Sequence, residues 1–220
     1  MEISPDYKGT RKYHDKDNFR VQRKESISMI KESVPFLVMR HADMEADDVI
    51  ADLALDLLPH SDEKIIVSTD TDFIQLCQDS DNNTRLYNPI KKQFREIPDY
   101  PYAQWKALRG DSADNIPGIR GIGDKRATKL LNTDGALQDF LDSNENHKLL
   151  FLKNIDMIEL RSLSQQERKE VQMWYADQPL ESLRETFTQM DLKSMITEKA
   201  WNNYAKPFGG LRDGRKYFTS

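Results

Sequence analysis

The run Gly110-Asp-Ser-Ala-Asp-Asn-Ile-Pro-Gly-Ile-Arg-Gly-Ile-Gly-Asp-Lys-Arg-Ala-Thr-Lys-Leu-Leu131 organises the reading of the whole chain. Gly121 and Gly123 flank Ile122 immediately before a helix-forming segment, residues 124–131. Glycine lets backbone approach a phosphate closely, and the free N–H groups of a helix N-terminus supply donors. Lys125, Arg126 and Lys129 add attraction to phosphates that is independent of base sequence. Ile122 is expected to plug into its own lobe and fix the turn. The pattern is that of a helix-hairpin-helix gripping a duplex backbone, with Gly121, Ile122, Gly123, Asp124, Lys125, Arg126 and Lys129 as candidate DNA contacts. It is not a dinucleotide fingerprint, because the third glycine position is Arg126. The competing explanation is an ordinary glycine turn between two helices.

Upstream of this run the chain is acidic. The net charge is −5, which by itself argues against nucleic acid. That average conceals segregation. Residues 1–31 carry +3 and residues 119–131 carry +3, whereas residues 41–81 hold twelve acids against one lysine. Such a block repels itself unless it forms solvated helix faces or collects cations. Spacing favours cations. Glu45-Ala46-Asp47-Asp48 lies between a predicted strand and a helix N-terminus. Thr69-Asp70-Thr71-Asp72 follows the β-branched strand Lys64–Ser68. Asp111 and Asp114 sit in the glycine-rich loop. Ligands in open α/β sheets gather beyond the carboxyl ends of strands, so the three clusters are expected to converge. Hard divalent ions such as Mg²⁺ take oxygen ligands, and two of them about 4 Å apart clamp a phosphodiester. Each cluster taken alone reads better as helix caps or turn residues, and it is their ordered joint appearance that favours metal. A calcium loop starting at Asp79 fails, because its sixth position is Thr84 and its twelfth is Ile90.

The remaining pattern is α/β followed by helices. Residues 18–33 read as a basic helix, Phe36–Arg40 as a strand and 46–58 as a helix. The segments 84–88 and 93–97 read as a strand pair, and 101–109 as a helix. Further helices are expected near 135–142, 145–153, 164–175, 180–188 and 192–204. Hydrophobic residues make up 38%, enough for a core, and no apolar run is long enough to span a bilayer. No secretory leader is expected at the start. The single Cys77 rules out an intrachain disulfide and a multi-cysteine zinc site, and reads as core packing in a reducing compartment. His14, His41, His60 and His147 have no metal or triad spacing. Arg20, Arg23 and Lys24 share one helix, either as a solvated face or as a contact for a 5′ strand.

Taken together these motifs resemble the 5′-nuclease family: flap endonucleases, the 5′-3′ exonuclease domain of bacterial DNA polymerase I, and bacteriophage RNase H and 5′-exonucleases. E-A-D-D, T-D-x-D, G-D-x-x-D-N-x-x-G and G-I-G-x-K occur in order from Glu45 to Lys125, and Tyr7-Lys8-Gly9-Thr10-Arg11 is similar to the family's Y-K-x-x-R. The resemblance covers about residues 5–200. It implies a PIN-like, Rossmann-like parallel sheet flanked by helices, with a helix-hairpin-helix lobe and a helical C-terminus. The implied division is a partial catalytic domain over 1–100, the DNA-binding lobe and helices over 101–205, and a tail over 206–220. It also implies a Mg²⁺-dependent 5′-3′ exonuclease or flap endonuclease working on DNA, or on RNA in RNA–DNA hybrids, by two-ion hydrolysis, with Mn²⁺ as a substitute. Glu45, Asp47, Asp48, Asp70 and Asp72 would serve one ion, and Asp111 and Asp114 the second. Lys8 would contact the scissile phosphate and Arg11 the 5′-end phosphates. A K⁺ ion would be held by backbone carbonyls at Leu108, Arg109, Pro117, Ile119 and Ile122. The implied setting is primer or flap removal in replication, in a bacterial host cytoplasm if the protein is phage-encoded.

One departure qualifies the resemblance. The family opens with two strands, each bearing an Asp, ahead of Y-K-x-x-R, whereas six residues precede Tyr7 here. The metal site would then hold seven acids instead of nine. A fragment, one half of a split gene completed by a separate N-terminal chain, and a degenerate protein that only binds DNA are the three expectations. A PIN-type ribonuclease would not require the Gly118–Lys125 hairpin.

Overall fold

The computed structural model describes residues 16–34, 36–176 and 180–206. Lys8 and Arg11 lie outside the described residues. The chain divides into two compact units. One contains Ile50–Ser162, and the other contains the described parts of Tyr13–Val49 and Leu163–Ser220.

The first unit is built on a three-stranded sheet. Strand β2 (Lys64–Val67) pairs in parallel with β3 (Thr84–Asn88), and β4 (Gln93–Phe94) adds antiparallel to β3. The link from β2 to β3 is a pair of 3-10 turns, Asp72–Cys77 and Ser80–Asn82, long enough to make the crossover that parallel strands need. One face of the sheet is apolar and buried: Leu86 meets Phe73, Ile74, Leu76, Ala51, Ala54 and Tyr102. The other face is open, with Ile65 and Val67 exposed.

Helices α3 (Tyr102–Arg109), α4 (Asp124–Leu131), α5 (Ala136–Asp142) and α6 (Glu145–Ile158) follow, and they share a second cluster formed by Ala107, Leu108, Ile116, Ile119, Ile122, Ala127 and Phe151. Between α3 and α4 the short strands β5 (Gly110–Asp111) and β6 (Ile116–Pro117) pair antiparallel. Gly110 has φ +81°, which only glycine adopts without strain. The Asn144 side chain caps α6 by accepting from the N–H groups of Asn146 and His147, which is worth about 1 kcal/mol.

The second unit holds α1 (Lys16–Ser33), β1 (Leu37–Arg40), α7 (Gln165–Lys169), β7 (Gln172–Tyr175), α8 (Leu180–Gln189), α9 (Lys193–Ile196) and α10 (Glu198–Ala205). Val34, Leu183, Phe187 and Trp201 form its core. Helix α2 (Ala46–Asp52) crosses the division between the units, which falls after Val49.

Three expectations on elements change. The helix over 164–175 stops at Lys169, because Met173-Trp174-Tyr175 are strand formers and β7 pairs antiparallel with β1. The helix over 46–58 ends at Asp52 and continues as a wider π turn, Leu53–Leu57. The helix over 192–204 is broken at Thr197, whose side chain accepts from the Ala200 N–H and starts α10. Among the described strands, β2 and β3 form the one parallel pair.

Candidate metal centre and nucleic-acid interface

Three elements of the first unit bring carboxylates together. Asp72 opens the 3-10 turn after β2, Asp111 ends β5, and Asp114 lies in the tight loop that follows. One oxygen from each lies within 4.8 Å of the others. Local backbone bonds set these side chains. The Asp70 carboxylate accepts from the Asp72 N–H at 3.0 Å, and Ser68 Oγ accepts from the Asp70 N–H. The Asp111 carboxylate accepts from the Ala113 N–H at 2.9 Å. Two buried-side glutamines then fasten the Asp72 turn. Gln75 donates to the Ile158 carbonyl and accepts from the Leu160 N–H. Gln78 donates to the Pro98 and Tyr100 carbonyls and accepts from the Tyr102 N–H.

Opposite the acids stands Lys106, on the buried stripe of α3 with Tyr102, Ala103 and Ala107. It is 4% exposed, and its ammonium bonds both Asp72 and Asp111. Burial alone would lower the Lys106 pKa, but the hydrogen bonds to Asp111 and Asp72 outweigh it and hold the ammonium protonated well above the ordinary lysine value. Burial also pushes the two acids up. For Asp111 the Lys106 charge and the N–H groups of Ala113 and Asp114 win, leaving its carboxyl below the usual range. For Asp72 burial prevails over Lys106, helped by repulsion from Asp70 and Asp111, and its carboxyl stays above the usual range. The set is all-oxygen, anionic and crowded, which suits a hard divalent ion.

Glu45, Asp47 and Asp48 lie at the start of α2, in the other unit. Asp48 has a local task there, since its carboxylate accepts from the Glu45 N–H at 3.1 Å as a helix-start bond. The sequence reading missed Lys106. The available signal was a lysine at i+3 and i+4 from apolar Ala103 and Tyr102, on a helix face that otherwise buries.

The hairpin is built as its pattern suggests. Ile122 is 6% exposed and packs with Ile119, Ala127 and Phe151. Gly121 has φ +79°. Gly123 precedes α4, and a Cβ added there would meet nothing within 4 Å. Lys125, Arg126 and Lys129 are exposed on α4, and Arg126 donates to the Gly121 carbonyl at 3.4 Å. Asp124, itself exposed, pairs with Arg109 Nε at 2.9 Å. Of the carbonyls expected around K⁺, Leu108 accepts from the Ile119 N–H, Ile119 from the Ile122 N–H, and Pro117 from Asn154 Nδ2. Asn154 is a second missed residue. It is fully buried and also donates to the Ala107 carbonyl at 2.8 Å, tying α6 to both sides of the hairpin.

In the second unit, Arg20, Arg23, Lys24 and Lys31 of α1 line a groove of about 730 Å³ with Arg40 of β1. Cys77 is partly buried, its thiol pushed up to about 11 by burial, and it donates to the Phe73 carbonyl. Among the described residues no helix is long and apolar enough to cross a membrane.

Residues 1–105 match the N-terminal resolvase-like domain of 5′-3′ exonucleases, and residues 97–200 match their C-terminal SAM fold. The chain belongs to the 5′-3′ exonuclease family. Flap endonuclease Xni of Shewanella denitrificans is 40% identical over 114 residues, covering 48% of this chain and 44% of that protein. DNA polymerase I of Lactococcus lactis subsp. cremoris is 36% identical over 187 residues, covering 75% of this chain and 20% of the polymerase. The chain thus spans less than half the length of these curated relatives. The fold is shared with the bacteriophage T5 D15 protein co-crystallised with metal ions, at TM-score 0.55 and 22% identity over 70% of this chain and 68% of that one. A T5 D15 flap endonuclease in a pseudo-enzyme–product complex with DNA and metal ions superposes at TM-score 0.54 and 21% identity, over 70% and 66%. The 5′-3′ exonuclease fold therefore accounts for both the resolvase-like sheet and the helix-hairpin-helix that follows it.

Proposed function

We propose that this chain is a structure-specific 5′-3′ exonuclease or flap endonuclease, hydrolysing phosphodiesters in DNA or in the RNA of RNA–DNA hybrids during primer or flap removal. The observation that carries this reading is the convergence of Asp72, Asp111 and Asp114 within 4.8 Å, on the chain that also forms the basic hairpin. Asp72, Asp111 and Asp114 would hold a divalent ion, Mg²⁺ or Mn²⁺, with Asp70 beside them. Glu45, Asp47 and Asp48 are the further ligands assigned to the ion nearer the scissile phosphate. When bound, such ions lower the pKa of water and neutralise charge on the phosphate.

The residues divide the remaining work. Gly121, Gly123 and the first turn of α4 present N–H groups to one strand, while Lys125, Arg126 and Lys129 attract its phosphates. Asp124 keeps the turn closed through Arg109. Lys8 and Arg11 are assigned to the scissile and 5′-end phosphates on the resemblance alone. Leu108, Arg109, Pro117, Ile119 and Ile122 are the carbonyl set assigned to K⁺. The assigned domains are 1–100 for catalysis and 101–205 for duplex binding. A bacterial host cytoplasm is the assigned setting if the protein is phage-encoded, and a separate N-terminal chain would complete the acid set if the gene is split.

The test is cleavage of a 5′-flap duplex and of an RNA–DNA hybrid by the full chain with Mg²⁺ or Mn²⁺. Products shortened from the 5′ end, abolished by Asp111→Asn, support the reading. Salt-sensitive duplex binding with no cleavage under any divalent ion would instead show a non-catalytic binding module.

A further inference from the structure

We infer that Lys106 is a resident counter-cation of the acid cluster, one that a divalent ion must displace, so that this lysine sets how tightly the site takes its metal. The inference rests on the metal reading of Asp72, Asp111 and Asp114, and goes further by giving Lys106 a positioning role in that site.

Asp72, Asp111 and Asp114 cluster in the first unit with Asp70 beside Asp72, and the Lys106 ammonium bonds two of them. Three of the acids keep their oxygens within 4.8 Å of one another. Without a cation between them such side chains would splay toward water. An ammonium carries one positive charge and three donors, and here two donors are spent on the carboxylates that a metal would need. Lys106 is 4% exposed, and its ammonium occupies the acid-lined space between Asp72 and Asp111. The seat of the ammonium and the seat of a divalent ion are therefore the same place. The four-carbon stem is flexible enough for the head to swing away when the ion arrives. The lysine thus keeps the empty site assembled, and its charge opposes the incoming ion.

The test uses the full chain and Lys106→Met, which retains an apolar stem without the charge. Free Mn²⁺ is followed by its electron paramagnetic resonance signal. The expected result is Mn²⁺ binding about tenfold tighter in the variant, with a lower melting temperature in the absence of ions. A purely structural lysine would leave the affinity unchanged, and unchanged or weaker binding overturns the inference. A wild-type crystal with Mn²⁺ gives an answer independent of whether the variant folds. With an anomalous peak between Asp72 and Asp111, Lys106 Nζ should lie beyond about 4 Å from at least one of them. An ion bound there with both lysine contacts intact overturns the inference and leaves the metal reading standing. If neither protein binds Mn²⁺, both fall together.

Discussion

Gly118 and Arg109 meet backbone to backbone: a Cβ placed on Gly118 would lie 2.0 Å from the Arg109 carbonyl oxygen. The same crossing seen from the other strand puts a Cβ on Gly110 2.3 Å from the Gly118 nitrogen. No side chain fits between β5 and β6. Gly118→Ala should cost about 2 kcal/mol or more through forced backbone movement. Gly123→Ala, where the added methyl meets open space, should stay within about 0.5 kcal/mol. Urea unfolding of the two variants checks the contrast, and equal losses would show that the crossing is not what constrains Gly118.

Asn154 should behave as a fastener of the hairpin. Its amide donates to the carbonyls of buried Ala107 and of Pro117. Replacing it with leucine leaves both acceptors unpaired, at about 1–3 kcal/mol each. The expected loss for Asn154→Leu is about 2–4 kcal/mol in urea unfolding, with faster amide exchange at Ile119 and Ile122. Wild-type exchange rates in the hairpin would contradict this.

The bases of α4 should act through charge alone. Lys125, Arg126 and Lys129 are exposed on α4. Replacing all three with alanine should weaken duplex binding equally for all base sequences. It should also reduce the slope of log K against log salt by about 3. Fluorescence anisotropy from low to moderate salt measures it, and an unaltered slope would remove these residues from the interface.

The lysine–carboxylate contacts predict a pH profile. The Asp111 carboxyl sits below its ordinary value in the folded chain, so its contribution is present at neutral pH and is lost as pH falls through the folded value. Lys106 is raised, so its contribution is complete at neutral pH and disappears as pH rises through its folded value. Asp72 is raised and runs the other way, its charged form costing stability above its unfolded value. Below about pH 5 the metal-free wild type should therefore lose stability more steeply than Asp111→Asn. Unfolding midpoints from pH 7 to pH 3 decide it, and parallel curves would deny the Asp111 contribution.

Removing one member of the cluster should separate stability from ion binding. Asp114→Asn relieves repulsion and should leave the metal-free melting temperature equal or higher. The rise in melting temperature on adding Mg²⁺ should shrink. A full Mg²⁺ response in this variant would exclude Asp114 as a ligand.

The readable parts of this chain were those set by local pattern. Glycine spacing and the basic periodicity around Ile122 foretold the hairpin, because φ at Gly121 and burial of Ile122 are local requirements. The proximity of Asp72, Asp111 and Asp114 followed from their positions after β2 and in the loop beyond α3. Lys106 and Asn154 were not foreseen, because each has a partner distant in sequence: Asp72 is 34 residues from Lys106, and Ala107 is 47 from Asn154. Each does sit on the apolar stripe of its helix, a place where an isolated polar side chain implies a buried partner. Gln165–Lys169 opens with a capping box at Ser164 and Glu167, and only pairing with β1 reveals the change to strand at Gln172.

The clips on the Asp72 turn are amides, Gln75 and Gln78, rather than ions. Amides neither titrate nor respond to screening by salt. The backbone of that turn therefore keeps its place as ionic strength rises, while the pull of the exposed α4 bases on any polyanion weakens.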